Sequence, residues 1–164
     1  MNKDLDVSFK WEVDPNKRSQ VCRNVLESLP EWFGIPKAVE NYVKDVRDLP
    51  FIVVTFDDRI VGFCALKLNY DNNADFYVLG LLKEYHGAGI GTKMVSFVET
   101  WCAQKGISYM TVKTLSERHP DKFYAMTRRF YEKCGFIPLE EFPTLWDESN
   151  PCLLMIKPVH PTAS

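Results

Sequence analysis

The chain has 164 residues, 46% of them hydrophobic and 26% charged, which is enough for one domain with a sizeable core. Its 20 basic residues are balanced by 22 acidic ones, for a formal net charge of −2, so the basic footprint of a nucleic-acid binder is missing. No apolar run approaches the roughly 18 residues of a membrane span, and the opening MNKDLDVSFK lacks the apolar stretch of a leader.

In chain order, Asp6 to Val13 alternates apolar and polar and reads as a strand. Asp14 and Pro15 open a helix whose Val21, Val25, Leu26 and Leu29 recur at helical spacing until Pro30. Residues 29–36 read as a loop with an exposed Trp32-Phe33 pair. Residues 36–49 form a second helix, with Val39, Tyr42, Val43 and Val46 on one face. The period then changes. FIVVTFDD and IVGFCALKL are strands of a hairpin turning at Asp57-Asp58-Arg59, and ADFYVLGLL is a third strand.

Met94, Val95, Val98, Trp101 and Cys102 mark a helix from Gly89 to Gly106. YMTVKTL is a strand, LSERHPDKF a polar loop, and YAMTRRFYEKCG a helix with Met126, Phe130 and Cys134 four apart. Two last strands, FIPLEEFPTLW and PCLLMIKPV, flank the turn DESNP. The order β-α-α-β-β-β-α-β-α-β-β predicts an α+β fold, a mixed and largely antiparallel sheet flanked by helices. With no repeat or linker, residues 1–164 are expected to form one domain in the cytoplasm. Cys22, Cys64, Cys102, Cys134 and Cys152 show no CxxC spacing, so free thiols and no metal site are expected.

Glu84 to Gly91 reads EYHGAGIG, with glycine at every second position just before a helix. Glycine costs roughly 0.5–1 kcal/mol relative to alanine inside a regular element, so a tight turn, close packing or a ligand must account for it. A strand, a glycine-dense turn and a helix start together make an anion site, because the amides of the first turn and the helix dipole point at the ligand. A Walker loop needs a lysine that is missing here, and a dinucleotide fingerprint counted from Gly87 reaches Thr92 where it needs glycine.

The pattern that fits is [Q/R]-x-x-G-x-[G/A], with His86 in its first place, Gly89 in its fourth and Gly91 in its sixth. Here the chain resembles the GNAT superfamily of N-acetyltransferases, with His86 departing from the usual Gln or Arg. RRFYEKCGF, about forty residues on, resembles the segment in which that family carries an aromatic-Tyr pair before Gly-Phe. The resemblance covers nearly the whole chain, roughly Val7 to Val159. Tyr124 and Thr127 stand where relatives often have asparagine and alanine.

The resemblance implies acetyl-CoA as co-substrate and no metal. Leu79, Gly80 and Leu81 would pair with the pantetheine arm, and His86, Gly87, Ala88, Gly89, Ile90, Gly91 and Thr92 would form the pyrophosphate loop. Tyr124 and Arg128 would bind the cofactor through modified contacts. Tyr131 would be the general acid that protonates the leaving thiolate. Glu117 or His119 would be the base, with Asp75 and Tyr77 as weaker candidates. Acceptor specificity would come from Trp32, Phe33, Glu141 and Trp146, with the neighbouring acids Glu31, Glu140, Asp147 and Glu148. Aromatics with acids suit a small cationic amine such as a polyamine or an amine antibiotic. Two alternatives stay open, a peptide or protein N-terminus as acceptor and a catalytically silent acyl-CoA sensor. Relatives are often dimers, which makes a homodimer a further expectation.

Overall fold

The structure, a computed structural model, describes residues 6–161. The first five residues, on which the reading of the chain start partly rests, and the last three lie outside it. The elements are β1 (Val7–Trp11), α1 (Pro15–Glu27), α2 (Pro36–Asp45), β2 (Phe51–Phe56), β3 (Arg59–Asn69), β4 (Asn73–Leu81), α3 (Ile90–Lys105), β5 (Tyr109–Leu115), α4 (Lys122–Lys133), β6 (Ile137–Asp147) and β7 (Asn150–Pro158). Short 3-10 turns at Val46–Asp48 and Lys83–Tyr85 complete the order. The strands form a seven-stranded sheet in the order β1-β2-β3-β4-β5-β7-β6. β4 and β5 pair in parallel, while β1/β2, β2/β3, β5/β7 and β6/β7 pair antiparallel. The fold is the expected α+β.

The described residues divide into two compact units, 6–67 with 77–97 and 68–76 with 98–161. In the first, Asp14 caps α1 by accepting from the Asn16 N–H at 3.0 Å, and Pro15 supplies the preset φ of a first helical residue. The helix buries Val21, Cys22, Val25 and Leu26 in a core shared with Val39 and Val43 of α2 and with Phe51 and Phe63 of the sheet. The last two rings stack at 5.1 Å. The β2–β3 hairpin turns on Asp57 and Asp58 alone, both at positive φ (48° and 66°). That is the primed turn that matches strand twist, and Asp tolerates it. Arg59 is therefore the first residue of β3 rather than part of the turn.

Close packing explains two glycines of this unit. A Cβ on Gly62 would stand 2.5 Å from the Gly80 carbonyl oxygen, and one on Gly80 would stand 3.0 Å from Val25 Cγ1 and 3.1 Å from Leu29 Cδ1. Trp32 and Phe33 correct an expectation. They are not exposed but half-buried against the core, with Phe33 meeting Tyr42 edge-on at 6.1 Å. The alternation rules do not reach a loop, so burial there had no sequence signal.

In the second unit, β5 lies between the first half of β4 and β7. The β4–β5 ladder runs from Asn73↔Tyr109 to Phe76↔Val112, while β5 continues against β7 to Leu115↔Cys152. Helix α4 begins at Lys122, two residues before the expected start, because Asp121 accepts from the Phe123 and Tyr124 N–H groups. Its buried residue is Tyr131, whereas Met126 is 55% exposed. All five cysteines are free. Burial pushes the Cys22 thiol up to about 12 and those of Cys102 and Cys152 up to about 11, which leaves them inert at neutral pH. Among the described residues no helix is long and apolar enough to cross a membrane.

Candidate active site

The glycine loop lies in the first unit, between the end of β4 and the start of α3. Leu82 donates to the Val61 carbonyl at 2.9 Å, which ends the strand, and the turn Lys83–Tyr85 follows. Gly87 and Gly89 then have φ of +79° and +82°, with no heavy atom within 4 Å of where a Cβ would stand. The two glycines are needed for backbone conformation, and the space over them is open. Gly91 sits in the first turn of α3. Its neighbour Ile90 is fully buried and anchors the helix start, and Lys93 donates back to the Gly89 carbonyl at 3.2 Å. The amides of Ile90, Gly91 and Thr92 precede the first intrahelical donors and have no helical partner. Open space, left-handed glycines and unpaired amides at a sixteen-residue helix fit an anionic ligand.

His86 is exposed, yet its ring is turned back on the chain. Nε2 lies 2.7 Å from the Leu81 carbonyl oxygen. A carbonyl only accepts, so Nε2 carries the proton and donates. The ring also meets Trp32 edge-on at 5.5 Å and 78°. Beside it Glu31 pairs with Lys83, whose hydrogen bond draws the Glu31 carboxyl below its ordinary range. Gly80 faces α1 on its open side, so the close approach that glycine permits there is made by Val25 and Leu29. Tyr77 donates its hydroxyl to Asp45 Oδ2 at 2.5 Å. Leu79 and Leu81 are half-buried at the strand end.

The other candidates belong to the second unit. Tyr131 is 4% exposed, with its ring against Phe130 at 5.3 Å and edge-on to Phe136 at 5.6 Å. Three residues earlier, Arg128 Nη1 donates to the Leu115 carbonyl at 2.7 Å and ties α4 to the end of β5. Tyr124 lies half-buried in the first turn of α4. Glu117 is exposed, while His119 is half-buried, with Nδ1 out of contact with solvent and without a hydrogen-bond partner among the described residues. Thr114 Oγ1 is in the same state. Asp75 is buried, accepts from Thr111 Oγ1 at 2.8 Å and has Lys113 Nζ at 3.9 Å. Glu141 pairs with Arg118 at 2.9 Å, and Trp146 on β6 is 45% exposed. Glu140, Asp147 and Glu148 are exposed, and Asp147 shapes the β6–β7 turn by accepting from the Ser149 N–H. Among the described residues no three His, Cys, Asp or Glu side chains converge as a metal site.

The structure thus joins Trp32 to His86 and Glu31 to Lys83, and it joins Glu141 to Arg118. The sequence carried no signal for the His86–Leu81 or Arg128–Leu115 bonds, because a side chain reaching a backbone carbonyl leaves no residue-type pattern.

The acetyltransferase (GNAT) family matches residues 18–136. An uncharacterized N-acetyltransferase of Chlorobaculum tepidum is 25% identical, over 74% of this chain and 72% of its own length. Among solved structures, a protein of Desulfovibrio desulfuricans described as a GNAT-family acetyltransferase superposes with a TM-score of 0.80 at 20% identity, covering 94% of this chain and 99% of that one. An aminoglycoside 6'-N-acetyltransferase complexed with coenzyme A gives 0.69 at 17% identity, covering 96% and 99%. At these identities the structural likeness is one of fold.

Proposed function

The chain belongs to the acetyltransferase (GNAT) family, and from that premise we propose that it transfers the acetyl group of acetyl-CoA to the primary amine of a small cationic molecule. The observation that carries the reading is the loop of Gly87 to Thr92, with two left-handed glycines under open space at the N-terminus of a long helix. Its unpaired amides and the helix dipole suit the pyrophosphate of coenzyme A. Leu79 to Leu81 offer backbone groups to the pantetheine arm, and the β4–β5 ladder ends at Phe76↔Val112. Tyr124 lies near the start of the helix that carries the proposed acid.

When bound, acetyl-CoA supplies an activated acyl group and a thiolate leaving group. The residues of the chain bind, orient and move protons. Tyr131 donates its hydroxyl proton to the departing sulfur. His119, whose Nδ1 is buried and without a partner among the described residues, takes the proton that an ammonium acceptor must lose, in preference to the exposed Glu117. The acids and Trp146 around the β6–β7 turn attract and stack on a cationic acceptor, although Glu141 shares its charge with Arg118. One domain working in the cytoplasm is part of the same reading.

The test is release of free thiol from acetyl-CoA, measured against a panel of polyamines, amine antibiotics and short peptides. Release stimulated by a small cationic amine is expected. Stimulation by peptides alone would move the acceptor class, and binding of acetyl-CoA without turnover on any amine would leave a sensor.

A further inference from the structure

The turn Lys83–Tyr85 delivers the chain into the glycine loop, and the α1–α2 loop holds both of its ends. Glu31 pairs with Lys83 at the first residue, and Trp32 packs edge-on against His86 just past the last. The two ends are linked by the His86 N–H donating to the Lys83 carbonyl at 3.0 Å, and His86 Nε2 fixes the Leu81 carbonyl. The β2–β3 hairpin braces the middle, where Phe56 lies 5.4 Å from the Tyr85 ring. The glycines beyond have no side chains and no neighbour within 4 Å of where a Cβ would stand, so the loop is held from its two ends. Buried Ile90 anchors one end and the residues that grip the turn hold the other.

The α1–α2 loop is built to grip. Trp32 and Phe33 both donate their N–H groups to the Leu29 carbonyl, at 3.1 and 2.9 Å. A Cβ on Gly34 would stand 3.1 Å from the Pro30 carbonyl oxygen, and Phe33 is seated on Tyr42 in the core. The sequence pointed to Trp32 and Glu31 as acceptor-binding groups. Yet Trp32 is half-buried with its edge contact on His86, and Glu31 has Oε2 committed to Lys83 and Oε1 closed off from solvent.

We propose that Trp32 and Glu31 are positioning residues for the cofactor loop, acting through His86 and Lys83, and that they set acetyl-CoA affinity rather than acceptor choice. The inference rests on the reading of Gly87 to Thr92 as the pyrophosphate loop. By linkage, acetyl-CoA in turn tightens the α1–α2 loop.

Calorimetric titration with acetyl-CoA tests it on wild type, Trp32→Ala, Trp32→Phe, His86→Ala and the Trp32→Ala/His86→Ala double variant. Trp32→Ala is expected to weaken binding about five-fold, the worth of an aromatic edge contact, and Trp32→Phe to restore most of it. The double variant should bind as His86→Ala does, because Trp32 acts through that ring. In turnover, KM for acetyl-CoA should rise while KM for the best amine of the panel stays put. Unaltered acetyl-CoA affinity in Trp32→Ala, or losses that multiply in the double variant, overturns the inference. Should Trp32→Ala fail to fold, Glu31→Gln carries the same test, with weaker binding expected and unaltered binding overturning it. A wild type that does not bind acetyl-CoA overturns the functional reading and this inference with it. A wild type that binds, with indifferent variants, overturns this inference alone.

Discussion

Lys157 of β7 fills the space that a side chain at residue 135 would need. Its Cε lies 2.8 Å from where a Cβ on Gly135 would stand, and its Nζ meets Glu99 Oε2 at 2.7 Å. Gly135 has φ of +102°, a backbone region that L residues rarely adopt, and Gly106 at +74° has open space around it. Gly135→Ala is therefore expected to cost roughly 2–3 kcal/mol, and Gly106→Ala about 1 kcal/mol from backbone strain alone. Urea midpoints measure both. Equal losses would contradict the packing account of Gly135.

The Glu99 carboxyl is pulled two ways. Burial raises it, but the His160 N–H and the Lys157 ammonium together outweigh burial and leave it below its ordinary range. A lowered folded value means that the stabilisation is fully present above the unfolded pKa of about 4.3 and is lost as pH falls through the folded value. Lys157→Met should lose on the order of 3 kcal/mol at pH 7, since it leaves a largely buried carboxylate without its ammonium. The gap between wild type and variant should narrow between pH 7 and a pH below the lowered folded value of Glu99, where the carboxyl is protonated. Denaturant titrations at the two pH values decide it, and a gap independent of pH would count against the pair.

Gly62 and Gly80 differ in what they exclude. Gly62 faces a backbone oxygen at 2.5 Å, which cannot move aside, whereas Gly80 faces methyl groups at 3.0 and 3.1 Å that can yield a little. Gly62→Ala should destabilise by more than about 2 kcal/mol and Gly80→Ala by about 1 kcal/mol. Thermal melts that rank them the other way would contradict the contacts.

At the glycine loop the cost should appear in binding. Gly87→Ala and Gly89→Ala each force a side chain into the left-handed region at about 1–2 kcal/mol. Either substitution should raise KM for acetyl-CoA about ten-fold, with a smaller effect on the amine. A rise confined to the amine would place the cofactor elsewhere.

The element order, the α+β class and the glycine loop before α3 were legible because each leaves a local pattern. The strands alternate, the helices repeat at 3.6, and glycine before a helix marks backbone demand. Asp121 was a cap in plain view, hidden in a polar loop by Pro120. The packing of Gly80 against Val25 and Leu29 was not legible, since it joins the strand end to residues more than fifty positions away. The turning of His86 toward Leu81, the half-burial of Trp32 and the pairing of Glu141 with Arg118 come from tertiary placement, and no residue spacing encodes them. Tyr131 was singled out by the resemblance of RRFYEKCGF to the family segment, not by periodicity.

The central claim is that Tyr131 hands a proton to the departing thiolate, and one comparison addresses it. Thiol release from acetyl-CoA is measured for wild type and Tyr131→Phe with the best amine of the panel, beside a calorimetric titration of both with acetyl-CoA. The account predicts a fall in kcat of about 10²–10⁴, the usual contribution of a general acid, with acetyl-CoA affinity retained. Full turnover by a Tyr131→Phe enzyme that binds acetyl-CoA as wild type does would contradict it.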